Sequence, residues 1–147
     1  MSLRNQSQWR IDLQTLLERN AGLDRYIHLA KRVLQAGEVG LLLEWVHSPL
    51  PDVVRAVFWA ALPGDLADQF VAAELLASKD PWAQINVLQR LTEVEAPATI
   101  RQLVKLKSSR EEIGSMWVSI HLGKLAKAAL HYQETGVTLP KDWISGE

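Results

Sequence analysis

Proline stands at positions 49, 51, 63, 81 and 97, and between these breaks the apolar residues recur at helical spacing. Proline lacks the N–H that an internal helical turn needs, and it pushes the preceding residue out of the helical region. A chain cut this often folds into short helices. Each short helix has an apolar stripe that only a neighbouring helix can bury.

The stripes and their punctuation predict seven or eight helices. Trp9, Leu13, Leu16 and Leu17 form the first stripe, with Ser7 as a candidate N-cap and Asn20 and Gly22 as the stop. Asp24 opens a second helix that Gly37 ends. A third covers about 38–47 and a fourth about 52–62. The fourth is apolar nearly all round, so it is expected at the centre. Pro63, Gly64 and Asp65 turn the chain into a fifth helix over about 66–77. Asp80 followed by Pro81 is a strong start signal for a sixth, to about Leu91. Pro97 opens a seventh, ending near Lys107. Ser109 and Glu112 have capping-box spacing and predict the longest helix, from about 109 to 133, closed by Gly136. No stretch outside these patterns alternates strictly for four residues, so no strand is expected.

The helix starts Pro51, Asp80 and Ser109 lie 29 residues apart, twice. At that shift Phe58, Val87 and Met116 align, as do Trp59, Leu88 and Trp117, and Ala56, Ile85 and Gly114. This order of helix, polar break and capped helix resembles the α-hairpin repeats of HEAT and armadillo proteins, over about residues 38–130. Those repeats use longer units of about 40–47 residues. The expectation is an all-α chain of stacked antiparallel helical hairpins, a short HEAT/armadillo-like α-solenoid. An irregular helical bundle is the alternative. One helical domain over residues 1–136 and an extended tail over 137–147 complete the expected organisation.

Composition excludes several function classes. The 147 residues are 48% apolar and 22% charged, as in an ordinary globular domain, and the net charge is −1. A general nucleic-acid or membrane-surface binder is usually basic overall. There is no cysteine, hence no disulfide, thiolate metal site or cysteine nucleophile. That suits a reducing compartment, and the expectation is a cytoplasmic protein. No apolar run approaches the ~20 residues that span a bilayer, and the polar opening 1–10 does not read as a secretory signal.

No motif specifies catalysis. Glu44 and His47 form a Glu-x-x-His pair, but a di-iron bundle needs a second copy, and His131 with Glu134 has the reverse order. His47 instead suits a helix C-terminus, where the dipole favours a cation. His28 and His121 each stand beside apolar neighbours and read as satisfied side chains. Asp65, Asp68, Glu111 and Glu112 read as helix-start charges. There is no nucleophile elbow and no glycine loop for phosphate. No cofactor, metal or catalytic residue is therefore assigned. Gly114 and Gly123, inside the last expected helix, cost about 1 kcal/mol each against alanine, which points to close helix approach or a hinge.

Two features point to partners. Six tryptophans are many for this length. Trp59, Trp82 and Trp117 sit on apolar stripes and are expected in the core. Trp9, Trp45 and Trp143 lie nearer element edges and are the candidate protein-binding anchors, Trp143 first. Arg101, Lys105, Lys107, Arg110, Lys124 and Lys127 form a possible phosphate-binding face, of the kind DNA-glycosylase relatives of HEAT repeats use. The leading expectation is a noncatalytic protein-interaction or scaffold module. Nucleic-acid binding through the basic face is the first alternative, and an enzyme or small-ligand binder with an unrecognised site the second.

Overall fold

The computed structural model describes residues 6–114 and 119–140. They form eight α-helices, two short 3-10 turns and one two-stranded antiparallel ribbon. The chain divides into two compact units, residues 1–67 and 68–147.

The first unit holds α1 (Gln6–Glu18), α2 (Leu23–Gln35), α3 (Val39–Val46) and α4 (Asp52–Ala61). Asn20 ends α1 in the left-handed region, φ 51°, and Gly37 ends α2 at φ 77°. Helix α2 begins one residue before Asp24, which therefore lies in the first turn rather than at the cap. As its all-round apolar surface implies, α4 is central, packing on both α2 and α3. Phe58 of α4 meets Tyr26 edge-on at 6.4 Å and Trp45 at 5.1 Å, the offset arrangements that ring quadrupoles favour.

The second unit holds α5 (Gln69–Leu76), α6 (Pro81–Leu91), α7 (Ile100–Leu106), strands β1 (Glu112–Gly114) and β2 (Ser119–His121), and α8 (Leu122–Thr135). Helix α8 packs on α6 and α7. Its end is as expected, with Gly136 at φ 74°. Asp68 caps α5 by accepting from the Phe70 N–H at 2.8 Å. Asp80 caps α6 by accepting from Trp82 N–H at 3.0 Å and Ala83 N–H at 3.4 Å, with Pro81 at the first helical position.

The start of the last helix is a correction. Among the described residues, 112–114 and 119–121 are strands and not part of a helix opening at Ser109. They pair Glu112 with His121, Ile113 with Ile120 and Gly114 with Ser119. Ile113 and Ile120 are β-branched, which favours a pleated backbone over a helical one, and Gly114 is a poor helix former. The spacing of Ile113, Trp117 and Ile120 imitates a helical stripe, which is why the sequence reads as one. Ser109 Oγ accepts only from the Glu111 N–H, in a local turn. His121 is the true cap, its Nδ1 accepting from the Lys124 N–H.

The two capped positions should therefore separate by mutation. Asp80→Ala is expected to cost about 0.5–2 kcal/mol, and Ser109→Ala much less, because Ser109 caps no helix. Equal losses in thermal denaturation would contradict the boundary at Leu122.

The hairpins α3–α4 and α5–α6 share one design. Leu41, Leu42, Trp45 and Val46 are buried, and so are Val71, Ala72, Leu75 and Leu76, each thirty residues on. The second loop is one residue shorter, so the second helices match at twenty-nine: Val54, Ala56, Phe58, Trp59 and Leu62 against Ala83, Ile85, Val87, Leu88 and Leu91, all buried. Even the satisfaction of the first helix's end repeats. Arg55 Nε donates to Val46 O at 2.8 Å, and Gln84 Nε2 donates to Leu76 O at 3.0 Å. The expected third copy fails beyond Ser109, where β1 and β2 stand in place of a helix start.

Candidate functional site

The tryptophans redistribute. Trp9 and Trp45, expected near element edges, are each 3% exposed. Trp9 lies on the inner side of α1, and Trp45 is clamped against Phe58. Neither presents a ring to solvent, because a position near the end of a helix need not lie at the edge of a packed unit. Trp143 and Trp117 lie outside the described residues. Trp59 is fully buried, as expected.

Trp82 is the reverse case. Expected in the core, it is 42% exposed. It occupies the first turn of α6, and its backbone is fixed by the Asp80 cap and Pro81. Residues of α6 that follow, Ala83, Gln84 and Ile85, are buried, so the ring projects from a rigid start. Phe70, at the start of α5, is 70% exposed and likewise has its backbone N–H held by a cap, Asp68. Trp82 reads as core because it lies on an apolar stripe, and Phe70 was not singled out at all. The available signal was the cap itself: the second residue after a cap stands before the hairpin's buried stretch.

The basic residues of the second unit are brought together in part. Helix α7 carries Arg101 and Lys105, both exposed. Gly123 explains how α8 joins them. A Cβ there would stand 2.4 Å from Ser109 O and 3.0 Å from Lys107 O, so the loop after α7 lies directly on the first turn of α8. Close approach, rather than a hinge, accounts for this glycine. Lys107 thereby comes beside the turn that carries Lys124, and Lys127 follows on α8.

Glu44 is occupied. Arg10 of α1 donates to its carboxylate from Nη1 and Nη2, and this hydrogen bonding holds Glu44 below the usual carboxylate range and Arg10 above its own. His47 forms the C-cap of α3, its N–H donating to Glu44 O. Among the described residues no group of three or more His, Cys, Asp or Glu could hold a metal ion. No helix there is long and apolar enough to cross a membrane.

Two clefts remain. One, of about 170 Å³, is lined by Glu95, Tyr132, Gln133 and Gly136, but the Gln133 amide is spent on backbone. The other, of about 220 Å³, lies between α1 and α2 and is lined by Asp12, Thr15, Leu16, Arg25, His28, Leu29 and Arg32.

No family model, curated protein or solved structure matches this chain.

Proposed function

We propose that this chain is a noncatalytic protein-interaction module anchored by Trp82. One observation carries the reading: a large aromatic ring, 42% exposed, stands on a backbone already fixed by a cap and a proline. A preordered aromatic side chain loses little freedom on docking, and tryptophan is enriched among the residues that dominate interfaces. Phe70 offers a second exposed ring on the same hairpin. In this reading the matched hairpins α3–α4 and α5–α6 belong to a short HEAT-like run, whose exposed faces take the partner. A cytoplasmic location belongs to the same proposal, supported by the lack of cysteine.

The test starts with the full chain as bait in a lysate of its source and proceeds to titration of the purified partner. Trp82→Ala is expected to leave the melting temperature nearly unchanged and to weaken that complex by about 2 kcal/mol or more. Unaltered affinity in both Trp82→Ala and Phe70→Ser would overturn the reading.

The approach of the Lys107–Ser109 backbone to Gly123 favours a second reading, in which the basic residues of α7 and α8 meet a phosphate backbone. Its mark is salt. Affinity for an oligonucleotide should fall steeply and log-linearly as salt rises, whereas the protein complex through Trp82 should respond little.

A further inference from the structure

We propose that the cleft between α1 and α2 binds a small dianion, a phosphate monoester or a dicarboxylate, between Arg25 and Arg32. The two arginines and His28 all line this cleft from α2. At positions i, i+3 and i+7 they share one helix face, and at 1.5 Å rise per residue the two arginine Cα atoms stand roughly 10 Å apart along the axis. Their long side chains can turn towards a common point between them.

Arg32 is already placed. Its guanidinium lies 5.5 Å from the ring centroid of Trp9, which is buried in the first unit. Neither Arg25 nor Arg32 is ion-paired among the described residues, and the side chains of Arg25 and His28 make no hydrogen bond there, the Arg25 backbone N–H being spent on Gly22 O. Two like charges lining one cleft repel each other, and an anion between them would relieve this while offering each fork a bidentate acceptor. Leu16 and Leu29 supply an apolar wall. Thr15 donates its hydroxyl proton to Ile11 O, so it adds no donor for the ligand.

Asp12 is the one acidic group in the lining, and it accepts from Gln8 Nε2 at 3.1 Å. It lowers the positive charge of the walls without cancelling it. The cleft has a volume of about 220 Å³ and is open to solvent. That space admits a small organic acid or a phosphate group.

The experiment follows the His28 ring by NMR while the full chain is titrated with inorganic phosphate in one arm and succinate in the other, with His47 as the internal control. A saturable shift of His28 and not of His47 is expected, and the arm that saturates at the lower concentration identifies the headgroup chemistry. Arg25→Ala and Arg32→Lys should each weaken binding by about tenfold or more, as loss of a charge-assisted fork does. Lys31→Ala, on the same helix but outside the cleft, should leave it unchanged. Asp12→Asn should tighten binding a few fold, a direction no structural role of Asp12 would produce. No saturable His28 shift in either arm overturns the proposal, as does equal weakening by Lys31→Ala or an Asp12→Asn variant that binds no better.

Discussion

Trp59→Ala is expected to destabilise the first unit by about 3–5 kcal/mol, the largest single effect this architecture predicts. Trp59 is fully buried on α4, the helix that packs against both α2 and α3. Removing the indole loses its transfer energy and leaves a cavity, because a close-packed interior relaxes only in part. Amide exchange resolved along the chain is the appropriate measurement. Protection of α2, α3 and α4 should fall together. A change below ~1 kcal/mol would place Trp59 outside the core and undo its equivalence to Leu88.

Gln133→Ala is expected to cost the second unit about 2–4 kcal/mol, at ~0.5–1.5 kcal/mol for each of three hydrogen bonds. From the last turns of α8, the Gln133 Nε2 donates to Leu91 O at 2.9 Å and Val94 O at 2.7 Å, while its Oε1 accepts from Ala96 N–H at 2.6 Å. One side chain thus satisfies the end of α6 and the loop behind it, where Val94 and Ala96 are buried. Gln133→Glu separates shape from chemistry. It keeps the volume but turns the donor into an acceptor facing two carbonyls, so it should be at least as damaging as alanine. A tolerated Gln133→Glu would show that the clamp is packing rather than hydrogen bonding.

Much of this fold was legible from the residues because its punctuation is local. Asp80 before Pro81, Gly37 and Gly136 set helix ends through their own backbone chemistry, and the structure places the ends there. The hairpin match between Trp59 and Leu88 was visible because burial along a helix repeats the apolar stripe. The β-ribbon was not visible, because Glu112–Gly114 and Ser119–His121 are three residues each, too short for alternation to register against a 3.6-residue stripe.

The candidate sites were harder to read for a different reason. Whether a tryptophan faces solvent depends on which helices meet, and spacing does not encode that. Trp45 reads as peripheral and is clamped on Phe58, while Trp82 reads as core and stands outside the hairpin's buried stretch. The spacing of Arg25, His28 and Arg32 was present in the sequence, yet only the packing of α1 on α2 sets Asp12 opposite them in one cleft.

The protein-interaction reading rests on which tryptophan meets the partner, and fluorine NMR of the 5-fluorotryptophan-labelled chain measures that directly. Each resonance is assigned by its Trp→Phe variant. On addition of the captured partner, the Trp82 resonance is expected to shift or broaden while those of Trp45 and Trp59 stay in place. A Trp82 resonance that remains unmoved at saturation would contradict the proposal.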